Sequence, residues 1–207
     1  MPQRPLLTSL LALSLLSSAY AGLSPSPILE PVLSKNSGPY LTIQGGPAWI
    51  SDTVEPGLYP LLVDFDTGVS AMAALGWRVS RSFSLEIESG FAASNFDFVY
   101  PTLGVRYEGE FKQVPVFLNA LYVVECTPLL GLYIGAGAGA TWSKIKIDVE
   151  EASDWYWAFQ AKAGITYKIA DALNFNLGYR GVYGLDSFAG EDEVLSNIAE
   201  IGLTYRF

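Results

Sequence analysis

Eight stretches of the sequence alternate, residue by residue, between an apolar side chain and a polar or small one, and no other feature restricts the fold as much. In "FSLEIESGF", Phe83, Leu85, Ile87 and Phe91 share one face, and Ser84, Glu86, Glu88 and Gly90 the other. "AFQAKAGITYK" sets Phe159, Ala161, Ala163, Ile165 and Tyr167 against Gln160, Lys162, Gly164 and Thr166. "LNFNLGYR" sets Leu173, Phe175, Leu177 and Tyr179 against Asn174, Asn176, Gly178 and Arg180. The final "EIGLTYRF" sets Ile201, Leu203, Tyr205 and Phe207 against Glu200, Gly202, Thr204 and Arg206. Side chains of an extended chain point to opposite faces in turn, so a period of two means β-strand. Four further segments, near 40–49, 66–79, 110–123 and 129–143, follow the rule less strictly. The third is the weakest, because Pro115, Phe117 and Leu121 share a face with Asn119.

Each segment has about the ten residues that a tilted strand needs to cross a bilayer. Short turns near 80–82, 124–128 and 169–172 alternate with long polar connections near 50–65, 93–109, 144–154 and 184–196. The expected fold is all-β: an eight-stranded antiparallel up-and-down transmembrane β-barrel, with short periplasmic turns and four longer extracellular loops. Two competitors fall away. The uncharged run from Cys126 to Ser143 has glycines at 131, 135 and 139, as a packed membrane helix would, but one helix leaves the other alternating segments unexplained. A secreted barrel with its apolar side inward needs a wetted exterior. Only 16% of the residues are charged and 50% are hydrophobic, against about 25% charged in soluble domains.

The aromatics collect at the strand ends. Trp77, Phe83, Tyr122, Tyr167, Phe175, Tyr205 and Phe207 fall on outward faces near the short turns; Trp49, Phe91, Trp142, Trp155 and Trp157 lie near the long connections. Two such belts mark the two interfaces of a bilayer.

"MPQRPLLTSLLALSLLSSAYAG" has a basic Arg4, an apolar run from Leu6 to Leu16 and a small-x-small site at Ala19–Ala21. Residues 1–21 are therefore expected to be a signal peptide, too short in its apolar part to span a membrane. Residues 22–38 read as a Pro/Ser-rich periplasmic linker and 39–207 as the barrel. The single Cys126 provides neither a disulfide nor a lipid anchor at the cleavage site. The net charge of −9, or −10 once Arg4 is removed, speaks against binding nucleic acid.

The segment Glu200 to Phe207 resembles the C-terminal assembly signal of bacterial outer-membrane proteins: a polar residue, then Gly202, then Tyr205 and a final Phe207. Residues 39–207 resemble the small barrels of the OmpA/OmpX-like (opacity, porin-family) type, with "YIGAGAGATW", "AFQAKAGITYK" and "LGYR" similar to their fifth, sixth and seventh strands. The resemblance implies a monomeric barrel in the outer membrane of a Gram-negative-type bacterium. Its partners would be outer-membrane lipid and lipopolysaccharide, the assembly machinery reading Glu200, Gly202, Tyr205 and Phe207, and an extracellular ligand for the loops. The peptidoglycan-binding domain found in the larger relatives is not expected here.

Catalysis is not expected. Small outer-membrane enzymes use histidine as base or orienter, and this chain has none. The pairs Glu86/Glu88 and Glu150/Glu151 lack a nucleophile arrangement, and Gly45-Gly46 matches no phosphate-binding loop. The acidic runs 148–155 and 190–193 fit no calcium-loop spacing, so neither metal nor cofactor is expected. Counted from the short-turn end, Glu86, Glu88, Lys162, Arg180 and Glu200 lie at similar depths on the inward face. They are expected to pair in a narrow lumen, with glycines 90, 135, 137, 139, 164 and 178 making room for long side chains. The two functional expectations are a structural or surface-interaction barrel with a filled lumen, or a small porin-like channel for solutes or small apolar molecules.

Overall fold

The computed structural model describes residues 37–50, 53–55, 61–100, 105–147, 150–185 and 194–207. The signal peptide expected at 1–21, nearly all of the linker at 22–38 and the acidic run 190–193 lie outside them.

Alternation becomes strand throughout. Eight strands form the wall: β1 (Gly38–Ile50), β4 (Gly68–Arg78), β5 (Phe83–Tyr100), β6 (Val105–Glu125), β7 (Leu130–Ile147), β8 (Glu150–Lys168), β9 (Leu173–Gly184) and β10 (Val194–Arg206). Two short strands, β2 (Thr53–Glu55) and β3 (Leu61–Phe65), make a hairpin above the wall, and β3 continues on β5 with Phe65 opposite Phe96. Every wall strand pairs antiparallel with its neighbours, and the ring closes where β1 meets β10, Leu41 opposite Tyr205. Closure leaves no unpaired backbone edge, which lipid could not satisfy. The run 126–143, weighed above as a helix, is turn and strand β7, and no helix among the described residues is long and apolar enough to cross a membrane.

The three short turns are built alike. Val79 and Ser80 donate their N–H groups to the Phe83 carbonyl; Cys126 and Thr127 do so to Leu130, and Ile169 and Ala170 to Leu173. Thr127 Oγ1 also accepts from the N–H groups of Leu129 and Leu130. The exposed Cys126 is thus a turn residue.

At the other end the strands run further than the alternation predicts. The connections expected near 93–109 and 144–154 are largely strand, since β5 reaches Tyr100 and β6 begins at Val105, while β7 reaches Ile147 and β8 begins at Glu150. Part of the 50–65 connection is the β2–β3 hairpin. At the start of β8, residues 150–155 are exposed on both faces, so ladder hydrogen bonds persist there while the apolar/polar contrast fades.

The outward face is apolar through the middle of the barrel: Ile43, Leu75, Ile87, Leu118, Ile134, Phe159, Leu177 and Ile201 are all exposed on the outside of the ring. The inward rows are mixed. Thr42, Gln44, Ser84, Gln160, Asn174 and Asn176 are buried there, but so are Met72, Phe96, Phe111, Phe117 and Ile198. Phe117, Asn119 and Leu121 do share the inward face of β6.

The inward glycines do make room, but for other side chains than the charges. A Cβ at Gly137 would overlap Asn119, at Gly139 Phe117, at Gly90 Met72, and at Gly164 or Gly178 the Tyr133 hydroxyl. A test follows from the last pair. Gly178→Ala is expected to cost about 1–3 kcal/mol by overpacking, and most of that cost should vanish in a Tyr133→Phe background. Equal costs in both backgrounds, measured by urea unfolding in vesicles, would refute the contact.

Candidate functional site

The interior at mid-height is crossed by side chains. Around the ring the order is β1, β4, β5, β6, β7, β8, β9, β10, so β5 and β9 stand opposite one another. Glu88 on β5 and Arg180 on β9, both fully buried, meet across that diameter. Arg180 forks onto the carboxylate, with Nη1 on Oε1 and Nη2 3.0 Å from Oε2. Arg180 therefore supplies the reach and the planar donor pair that a bidentate carboxylate contact needs.

The five charges singled out by depth lie together. Lys162 Nζ is 2.7 Å from Glu88 and 3.2 Å from Glu86. Arg180 Nη2 is 2.8 Å from Glu200 Oε1, an ion pair, although neither Glu200 oxygen makes a hydrogen bond. Three carboxylates face two cations, a formal excess of 3 − 2 = 1 negative charge. Buried charges are tolerable only when paired and hydrogen-bonded, and amides complete the network. Gln160 donates to Glu88 at 3.2 Å and to Asn119 at 2.5 Å, and accepts from Arg180 at 3.0 Å. Gln44 donates to Glu88 at 3.3 Å, and the Tyr40 hydroxyl to Glu86 at 2.9 Å.

Gln44, Gln160, Asn119 and Tyr40 are partners that counting charges alone does not find. For three of them the register carries a signal: Asn119 stands opposite Glu86, Tyr40 is level with Glu86 through Gly76, and Gln160 is two residues from Lys162.

Among the described residues there is a space on each side of this network. Towards the short turns lies a polar vestibule of about 70 Å³, bounded by Arg78, Arg206, Thr42, Thr204 and Asn176. Within it Thr204 Oγ1 accepts from Asn176 at 2.7 Å and lies 2.8 Å from the Thr42 hydroxyl. Towards the long connections lies a pocket of about 30 Å³ whose walls are mainly apolar: Met72, Phe111, Phe117, Val182 and Ile198. Above it Phe65 packs on Phe96 and Phe111, with ring centroids 5.6 and 6.0 Å apart.

The aromatics expected at the interfaces face outward. Trp77, Phe83, Tyr122, Tyr167 and Phe175 are exposed near the short turns, Trp155 and Trp157 near the other end, where Trp142 stands opposite Trp155 and is half-buried. Of the assembly-signal residues, Glu200 and Gly202 point inward while Tyr205 and Phe207 point out. Tyr133 and Tyr40 lie inside the ring, among the lining of the vestibule. No group of three or more acidic, cysteine or histidine residues among those described is placed to hold a metal.

A closed ring of eight antiparallel strands, apolar outside and polar at its centre, defines a transmembrane β-barrel. The chain belongs to the family described as outer membrane protein beta-barrel domain, which matches residues 8–207, and its place is the outer membrane. Among solved structures it is similar to Neisserial surface protein A, at 16% identity and a TM-score of 0.61, covering 83% of this chain and 98% of that one. It is also similar to the outer membrane protein OprG from Pseudomonas aeruginosa, at 15% identity and a TM-score of 0.55, covering 83% and 97%. No curated protein matches the sequence. At these identities the likeness is one of fold.

Proposed function

We propose that this barrel is a non-conducting scaffold of the outer membrane, which holds the extended strands and connections of its extracellular end in place for contact with the surroundings. The observation that carries the reading is the Glu88–Arg180 fork across the ring, 3.0 Å from Nη2 to Oε2. An eight-stranded barrel is just wide enough for its own side chains, and a fork spanning its diameter with amides around it supports a filled lumen. The reading has no catalytic step, since the chain contains no histidine and its carboxylate pairs stand beside no nucleophile. It includes no cofactor. Its partners are lipid, the assembly machinery and a ligand at the extracellular end.

The second reading, a small channel, draws on one observation: the mainly apolar pocket above the network, lined by Met72, Phe117 and Ile198. Its lining suits an apolar molecule better than an ion, but its volume of about 30 Å³ is well below that of a ligand pocket, so this reading would need the lumen to widen. Planar-bilayer recording separates the two. The purified wild type should show no stable conductance step at 1 M KCl, and neutralising the fork with Glu88→Gln/Arg180→Met should not create one while the residues still fill the space. A large, steady single-channel conductance from the wild type would overturn the scaffold reading.

A further inference from the structure

The outer wall carries its own charge pattern, distinct from that of the lumen. On β6, β7 and β8, Val114, Trp142 and Trp155 stand side by side on the outside of the ring. Two residues further out on the same strands stand Lys112, Lys144 and Ser153; two further still stand Glu110, Lys146 and Glu151. The charges of the first row are both positive, and those of the second are mixed. No other lysine or arginine whose side chain is described points outward at this end. In a chain of net charge −9, three of its twelve cations thus gather on one side of the barrel, immediately above an aromatic belt.

Depth gives the row its meaning. Trp side chains settle at the level of the lipid headgroups. Two residues along a strand tilted by roughly 40° rise about 5 Å along the membrane normal, which is where headgroup phosphates begin. The lysines are open to contact there: the Lys112 side chain is 57% exposed, and Lys144 33%. Their ion pairs, Lys112 with Glu110 at 2.7 Å and Lys144 with Glu151 at 2.6 Å, are exposed to solvent, which screens and weakens them. A phosphate, with more charge and more acceptor oxygens, can replace them.

Below the lysines the wall is shallow. Ala136, Ala138 and Ala140 form an outward line on β7, flanked by Ala120, Leu118 and Val116 on β6 and by Ala161, Phe159 and Trp157 on β8. That trough is suited to acyl chains and begins below the Trp142 row, two outward positions beneath Lys144.

We propose that Lys112, Lys144 and Lys146 form a binding site for the phosphates of a phosphorylated glycolipid of the outer leaflet, with its acyl chains along the alanine trough. The site requires only the outer-membrane placement, and it stands whether the lumen is plugged or conducts. The lysine row decides the ligand; the trough only sets on which side its chains lie.

The test uses the full barrel folded in detergent and titrated with bisphosphorylated lipid A, read by native mass spectrometry and Trp fluorescence. Lys112→Gln/Lys144→Gln/Lys146→Gln should weaken binding at least tenfold, while the corresponding triple arginine variant stays within threefold of wild type. A control at the short turns, Arg81→Gln/Lys168→Gln, should bind as wild type does. Fully dephosphorylated lipid A should bind the wild type as weakly as the phosphorylated lipid binds the triple glutamine variant, and millimolar inorganic phosphate alone should not displace the lipid. Folding of each variant is verified by its heat-dependent gel migration. Unchanged affinity in the folded triple glutamine variant, an equal loss in the control, or equal binding of the dephosphorylated lipid would overturn the assignment. Displacement by inorganic phosphate alone would show an ion site rather than a lipid site, and would overturn it too.

Discussion

Arg180→Ala should destabilise the barrel by about 3–5 kcal/mol, the range for breaking a buried ion pair by removing one partner. The arginine is fully buried and touches Glu88, Glu200 and Gln160. Without it the three carboxylates Glu86, Glu88 and Glu200 share Lys162 alone, and Glu200 loses its only ion pair among the described residues. Leu177→Ala is the reference. Leu177 is exposed on the outer wall, where lipid closes over the lost atoms without leaving a cavity, so about 1–2 kcal/mol is expected. Urea titration of the folded barrel in vesicles compares the two, and a loss in Arg180→Ala no greater than in Leu177→Ala would refute the pairing. A second substitution sharpens the test. Glu200→Gln in the Arg180→Ala background removes the stranded charge and should recover part of the loss, whereas an effect of lost packing volume would remain. Arg180→Lys should fall between wild type and Ala, because an ammonium keeps the charge but cannot make the fork.

How far this interior could be read from the sequence depends on which property is asked for. The face of each residue was legible, because parity within a strand is strict: Asn174, Asn176 and Arg180 could only lie together on one side, and Phe175 and Leu177 on the other. Depth was legible too, since counting from the short turns brings Glu86, Glu88, Lys162, Arg180 and Glu200 to one level. Partners were not. Glu88 reaches Arg180 rather than a residue on a neighbouring strand because the ring closes and puts β5 opposite β9, a fact held in the order of all eight strands and in none singly. The amides Gln44, Gln160 and Asn119 are silent for a related reason: an uncharged polar residue on an inward row carries no charge of a sign to be matched. Phe117 and Phe111 were obscured differently. They lie inside the extracellular half, where the lumen itself is apolar, so the contrast between faces that identifies a strand is weak along β6. The added length of β8 had the least signal of all, because residues 150–155 are exposed on both faces and neither is selected to be apolar.

Deleting Phe207 should lower the amount of folded, heat-modifiable barrel in the outer membrane by roughly tenfold or more, while synthesis and export continue. The size follows from one aromatic contact, about 1.5–3 kcal/mol when its surface is covered by a partner, which corresponds to a tenfold or larger change in binding. In the folded barrel the Phe207 ring is 73% exposed on the outer wall and touches Tyr205 edge-on, with centroids 5.3 Å apart and planes at 82°. Its N–H donates to the Pro39 carbonyl at 3.3 Å, at the seam between β10 and β1. Two roles are therefore in competition. If Phe207 mainly holds the seam, the shortened chain should also fold poorly on its own when diluted from urea into lipid vesicles. If it is mainly read by the assembly machinery, unaided folding should be nearly normal and only the yield in cells should fall. The outward ring adds nothing to the interior and only one edge contact to the wall, so the second pattern is the expected one, with Phe207→Ser behaving like the deletion and Phe207→Trp close to wild type. Normal amounts of heat-modifiable Phe207→Ser barrel in the outer membrane would remove the signal role, and failure of the same variant to fold in vesicles would assign the residue to the seam instead.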